Sequence, residues 1–423
     1  MKRIVKSTLS MAMWLLVSTI ICGSAAVFTS CGENTLEEIL GTIDNPSGST
    51  TVAVASITLN ETSLEKKLGD VAVTLTPTVK PDDATDKTVS WTSSDPNVAT
   101  VANGKVSVIG EGTAIITATA NDGSGVKATC TVTVNIPGVL AGKFTINANG
   151  DQVRFSQGNL QAKIAGNIST DPDHYTYTAS SWKLAEHQWD YIGNAAGNNS
   201  FANNSTVDLF GWVGASASYN SYGLCTRNDA SSIWGSDFAK FYGNNDSESL
   251  KYDWGTVAIT NGGNTPFIFG WRTLSATEWG YLFKTRTAST VGGTDDGRYA
   301  RAKVNGVAGV ILFPDSYTHP DGVTAPASVN TTNASYTANT YDATAWGKME
   351  AAGCVFLPAA GKRNGTNVNT VGNDGYYWSS TPMPNNKTLA GHLLFYSNGM
   401  SFPDNNNSAR YFGFSVRLVY DPK

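Results

Sequence analysis

Between residues 53 and 136 apolar side chains recur at every second position, interrupted by short polar stretches. The sets are Val71, Val73 and Leu75; Val89 and Trp91; Val106 and Val108; Ala114, Ile116 and Ala118; and Cys130, Val132 and Val134. Side chains two residues apart leave a strand on the same face, so each set predicts a strand with one buried face. Lys80-Pro81-Asp82-Asp83, Ser94-Asp95-Pro96-Asn97, Asn103-Gly104 and Asn121-Asp122-Gly123 carry the residues that turns require, and they separate the runs. A small antiparallel β-sandwich follows, with Trp91 as core packing and Cys130 as a buried small apolar residue.

After Ile136-Pro137-Gly138 the pattern changes. Residues 140–423 hold all but two of the 11 tryptophans and are rich in Gly and Asn, which predicts one larger α+β domain of short strands and long loops. Two helices are expected: one over 275–283, with Ser275 as N-cap and Glu278 completing a capping box, and one over 342–352. Trp189, Trp212, Trp271, Trp279 and Trp378 are assigned to the core, because large rings bury wide areas with few torsions to fix. Arg417 stands in an apolar strand and needs a carboxylate or carbonyl partner.

Near the carboxyl end, His392, Leu394 and Tyr396 alternate with Leu393 and Phe395, predicting a strand with one presented and one buried face. Asn398-Gly399 is a hairpin signal, and 403–408 is an exposed loop. Tyr supplies rigid contact area and short polar side chains supply hydrogen bonds, so this stretch is the candidate recognition surface. Its candidate ligand-binding residues are Asn385, Asn386, His392, Leu394, Tyr396, Ser397, Phe402, Asp404, Asn405, Asn406, Asn407, Tyr411 and Phe412.

The amino end reads as a targeting segment over 1–30: Lys2, Arg3 and Lys6 precede an apolar run from Met11 to Ile21, too short for a bilayer-spanning helix. Residues 31–52 read as a flexible tether. The chain carries 29 Lys and Arg against 34 Asp and Glu, and removal of the basic leader makes it more acidic still, which excludes nucleic acid as a partner. Cys130, Cys225 and Cys354 remain beyond Cys31, allowing at most one disulfide, Cys225 to Cys354.

Several stretches resemble known families. Ala25-Ala26-Val27-Phe28-Thr29-Ser30-Cys31-Gly32 resembles a bacterial lipobox, with Phe28 where Leu is usual. That implies lipidation at Cys31, attachment to the membrane through the lipid alone, and an outer-membrane or cell-surface address. Glu33, Glu37 and Glu38 resemble the surface-export signal of Bacteroidetes-type lipoproteins. Val89-Ser90-Trp91-Thr92-Ser93-Ser94-Asp95 and Gly104-Lys105-Val106-Ser107-Val108 resemble bacterial immunoglobulin-like repeats, which usually act as spacers. Phe155-Ser156-Gln157-Gly158-Asn159-Leu160, Trp189-Asp190-Tyr191, Asp208-Leu209-Phe210-Gly211-Trp212, Trp271-Arg272-Thr273-Leu274, Phe356-Leu357-Pro358, Tyr376-Tyr377-Trp378-Ser379 and Gly413-Phe414-Ser415-Val416-Arg417 resemble a Bacteroidetes-type secreted family related to the major paralogous domain. The resemblance implies a C-type lectin-like fold, and the carboxyl end also looks like the variable region of diversity-generating retroelement targets.

The expectation is therefore a mainly β chain, an Ig-like sandwich over 53–136 followed by a C-type lectin-like domain over 140–423. It would bind a protein or glycan ligand on another cell, a host or a phage. A structural or pilus component of the envelope is the alternative. An oxidase of the formylglycine-generating type would need a copper-holding thiol pair, and neither Leu224-Cys225-Thr226-Arg227 nor Gly353-Cys354-Val355-Phe356 matches its motif, so no catalytic residue is assigned. No cofactor and no metal ligands are assigned either: the four histidines lack ligand spacing, and Asp171-Pro172-Asp173 and Asp295-Asp296-Gly297 offer calcium-type oxygens without continuing as an EF-hand loop.

Overall fold

The computed structural model describes residues 50–167, 177–200, 204–212, 253–256, 259, 270–364, 367–383, 386, 389–403, 406–410 and 412–421. The expected lipidation site Cys31, the leader, nearly all of the tether, Asp171, Asp173, Cys225, Asn385, Asp404, Asn405 and Tyr411 lie outside these residues.

In the N-terminal part, β2 (Ser63–Lys67), β9 (Lys127–Asn135), β8 (Gly112–Ala120) and β5 (Val89–Ser93) form one sheet in that spatial order. A second sheet joins β3 (Val73–Thr74), β7 (Lys105–Val108) and β6 (Ala99–Ala102), and β1 (Ser56–Leu59) pairs with β4 (Pro77–Lys80). The register sets Ala114 opposite Val132 and Ile116 opposite Cys130, so the alternation delivers all four to one core with Leu75, Val98 and Val106. Cys130 is fully buried there, and Trp91 covers the margin.

Two local expectations are corrected. β2 runs parallel to β9, so the sandwich is not wholly antiparallel. Val71 is 84% exposed because β3 begins only at Val73. The Asn103-Gly104 signal does close the β6–β7 hairpin, with both residues at positive φ (50° and 77°). A side chain at Gly104 would clash with the Leu75 carbonyl oxygen, so backbone conformation and space both demand glycine there.

The C-terminal part is α+β, with most of its order in short sheets. One sheet runs β10 (Val139–Thr145), β11 (Gln152–Ser156), β26 (Leu418–Tyr420), β15 (Trp271–Thr273); another runs β18 (Thr340–Tyr341), β16 (Tyr299–Val304), β17 (Val307–Leu312), β19 (Val355–Pro358). A third joins β22 (Gly375–Pro382), β23 (Leu389–Tyr396) and β24 (Gly399–Ser401), with β25 (Asn407–Ala409) also paired to β23. Helix α1 (Ala276–Lys284) begins with the expected capping box: Ser275 Oγ accepts from the Glu278 amide and Glu278 Oε2 from the Ser275 amide. Asp342 caps α2 (Ala343–Ala351) by accepting from the Ala345 amide at 2.7 Å.

Two aromatic cores flank the third sheet. Tyr377, Leu393 and Phe395 pack into a cluster with Phe144, Phe155, Trp279 and Phe283, whereas Tyr376, Trp378 and Ala390 join one with Trp182, Phe210, Trp212, Trp271 and Phe414. Trp212 Nε1 donates to the Ser379 carbonyl at 2.6 Å and Trp378 Nε1 to the Phe210 carbonyl at 2.7 Å, a reciprocal pair that ties two of the recurring sequence blocks together. Of the five tryptophans assigned to the core, Trp189 is only partly buried, its ring stacked on His187 at 4.7 Å.

Arg417 is fully buried and finds amide oxygens rather than a carboxylate: Asn159 Oδ1 at 3.3 Å and Gln188 Oε1 at 2.7 Å. Burial lowers its pKa to about 10. Ala53–Lys423 forms one compact unit, in which the guanidinium of Arg154 on β11 pairs with Glu111, just before β8.

Candidate functional site

Strand β23 settles which expected residues reach solvent. Leu393 and Phe395 are buried as the alternation requires; on the other face Tyr396 is 36% exposed and Leu394 half-buried. His392 departs from the expectation. It is 1% exposed, because the far end of that face is covered by the second aromatic core: its ring lies 4.8 Å from Phe414, 5.8 Å from Trp378 and 5.9 Å from Tyr376. Asn406 Nδ2 donates to His392 Nε2 at 3.0 Å and to the His392 carbonyl at 3.2 Å. Nε2 therefore carries the lone pair and Nδ1 the proton, and Nδ1 is buried without a hydrogen-bond partner among the described residues. Burial pushes the imidazole pKa down to about 3, so His392 is a neutral framework residue and not a ligand contact.

The hairpin turn also sits one residue earlier than the Asn-Gly signal. Tyr396 pairs with Gly399, so Ser397 and Asn398 are the central residues, and both are exposed. The Tyr396 ring folds across the turn: a Cβ at Gly399 would meet its hydroxyl at 2.7 Å, so a larger residue there would displace the ring. Beneath the tip lies Arg301 of β16, fully buried, which donates to the carbonyls of Tyr396, Gly399 and Thr332 and stacks over the Tyr336 ring at 5.1 Å. Burial lowers its pKa. A planar fork of donors suits three convergent carbonyls, so the tip is pinned from below by a cation without a carboxylate partner among the described residues.

The remaining expected residues divide between two faces. Phe402 packs against the first core, its ring 5.5 Å from Phe283 and under the Lys284 ammonium at 4.5 Å. Leu394 and Phe412 both lean on the second core with part of their surface open. Asn406 and Asn407 are half-buried, and Asn386 is exposed. The structure thus gathers Leu394, Tyr396, Ser397, Asn406 and Phe412 around the outer face of β23, and turns His392 inward and Phe402 to the opposite side. Lys362 of β20 (Lys362–Asn364) and Tyr376 border the same face; Tyr376 belongs to one of the family-like blocks, whereas Lys362 carried no signal in the sequence beyond its type.

Two pockets, of about 490 and 400 Å³, open elsewhere, and no residue of 385–412 lines either. The first includes Lys143, Gln152 and Asp315, but Asp315 is spent on Arg286, Thr145 and Gln152. The second includes Arg272 paired with Glu278 and Asp421. One oxygen of Asp295 accepts from the Thr290 hydroxyl and one of Asp296 from the Ala288 amide. Cys354 is a buried free thiol whose pKa is raised by burial, and Cys225, its expected disulfide partner, lies outside the described residues. Among the described residues no group of three or more His, Cys, Asp or Glu could hold a metal ion.

Comparison with known proteins bears on the N-terminal part. Residues 53–132 match the bacterial Ig-like domain (group 2). The chain is also 35% identical over 130 residues to an uncharacterized protein of Clostridium acetobutylicum, covering 30% of this chain and 13% of that protein. It is 57% identical over 61 residues to an alpha-L-arabinofuranosidase of Bifidobacterium longum, covering 14% of this chain and 6% of the enzyme. A solved structure of the surface layer protein SbsC, domains 1-6, shares 20% identity over 31% of this chain and 23% of that one, at a TM-score of 0.18. The chain spans less than a quarter of the length of these relatives.

Proposed function

We propose that this is a lipid-anchored cell-surface binding protein. The Ig-like module acts as a spacer for a C-type lectin-like domain, which captures a protein or glycan ligand on another cell, a host or a phage through Leu394, Tyr396, Ser397 and Phe412. The observation that carries this is Tyr396: a large ring 36% exposed at a hairpin tip whose backbone is held by a buried arginine. An exposed aromatic on a fixed backbone loses little entropy on binding, which is the economy of recognition surfaces. Lipidation at Cys31 and an outer-membrane address complete the proposal, and they rest on the leader sequence. Diversification of the patch is compatible with substitution at 394, 396, 397 and 412, but not with free substitution at His392, whose ring fills the second core.

The test uses binding of the purified chain to intact cells and to immobilised glycans. Tyr396→Ala with Leu394→Ser is expected to abolish capture and to leave the melting temperature within about 3 °C of the parent, since partly exposed side chains contribute little to stability. Undiminished capture by the double variant would remove this face from the site.

A further inference from the structure

Lys362 stands beside the patch in an unusual setting. Its ammonium lies 5.2 Å from the centroid of the Tyr376 ring and 5.3 Å from that of Phe412. Phe412 stacks on Phe414 (6.0 Å, 9°) and Phe414 on Tyr376 (4.8 Å, 28°), so the cation caps a step of three rings. No described carboxylate pairs with it: the nearby Asp374 accepts from Asn373 at 2.6 Å and from the Tyr376 hydroxyl at 3.2 Å. Ring contacts on a long side chain restrict its rotamers, so the charge is held in place before any ligand arrives. A fixed cation lacking its counter-ion at the edge of an aromatic patch is a preorganised anion site.

Two neighbours narrow the ligand. Phe412 is only partly buried, and Asn406, whose Nδ2 is committed to His392, keeps Oδ1 as an acceptor. A sugar acid carries a group for each of the three: a C–H face for the ring, a hydroxyl for the amide oxygen and a carboxylate for the ammonium. An acidic peptide side chain would use only the last.

We propose that Lys362, Phe412 and Asn406 form a subsite for a carboxylate-bearing sugar residue, so that the protein prefers acidic over neutral glycans. The inference rests on the binding role proposed above and deepens it. Titration of the full chain with trigalacturonate against its methyl ester, and with sialyllactose against lactose, tests it and separates uronic from sialic acids. At least one acidic probe is expected to bind about tenfold or more tightly than its neutral counterpart, the ratio that one favourable ion pair supplies. Lys362→Met keeps an apolar stem between the rings and is expected to erase that ratio; Lys362→Arg should preserve it. Equal binding of acid and neutral forms, failure of both acidic probes to bind, or an unaltered ratio in Lys362→Met would overturn the subsite. Cell capture that is lost in the Tyr396 and Leu394 variant but untouched by Lys362→Met would leave the binding role standing and the acidic preference refuted.

Discussion

His392 is the residue at which sequence and packing part company, and its protonation offers a direct check. The ordinary imidazole pKa of 6.5 falls to about 3 in the folded protein because burial penalises the cation. A depressed folded pKa means that the unfolded chain takes up the proton first, so this contribution to stability is intact above about pH 6.5 and is lost as pH falls toward 3. Asp208 acts in the opposite sense. It is buried, accepts from the Ile192 amide at 2.7 Å and Asn198 at 2.8 Å, and has its pKa raised by burial to about 6, so acidification between 6 and 3.8 relieves a cost. The two oppose each other across that window. His392→Phe keeps a ring in the aromatic core and removes only the first effect. Urea midpoints measured from pH 7 to 3 should show the variant losing less stability on acidification, by a slope of up to about 1.4 kcal/mol per pH unit. Parallel pH curves for parent and variant would mean that His392 is not buried as described.

At the scale of the element, the β23–β24 hairpin depends on a residue that no local pattern announces. Arg301 lies about a hundred positions upstream and meets the carbonyls of Tyr396 and Gly399 only because the sheets stack that way. Arg301→Met should release the tip: amide hydrogen exchange over 396–401 should accelerate roughly tenfold, the equivalent of about 1.4 kcal/mol of local opening. Exchange in β8 and β9 should be unaffected, and unchanged protection at the tip would show that the arginine does not anchor it. What the sequence disclosed follows the same division. Alternation placed Ala114, Ile116, Cys130 and Val132 in one core, and the capping box placed the start of α1, since both are signals between residues close in the chain. The exposed tip at Tyr396 was legible for that reason too. His392 was not, because a strand flanked by two cores shows the same alternation as one facing water, and the covering ring, Phe414, comes from another segment. Arg301 and Lys362 are defined by partners distant in sequence, so neither could be singled out.

Across the whole molecule, the junction decides whether the Ig-like module and the C-terminal part move as one body. The connection is short: Asn135 ends β9 and Val139 begins β10, with Ile136 buried and Gly138 at a φ of 74°. Its backbone is tied down, the Val139 amide donating to the Ile136 carbonyl at 3.2 Å and the Gln157 amide to the Gly138 carbonyl at 2.6 Å. Across it the Arg154 guanidinium pairs with Glu111 while its Nε donates to the Leu140 carbonyl at 2.7 Å. An ion pair of this kind contributes little to global stability, about 0–1 kcal/mol, but it acts on the bending that a three-residue link leaves open. Glu111→Gln combined with Arg154→Met should therefore leave the melting temperature nearly unchanged while broadening the distribution of distances between spin labels placed at Ser124 and Asn305. A spacer that bends freely would spread the binding face over many orientations, whereas a fixed one would direct it outward. If the parent protein already shows the broad distribution, the pair does not lock the junction, and any fixed orientation of the proposed binding face must come from elsewhere.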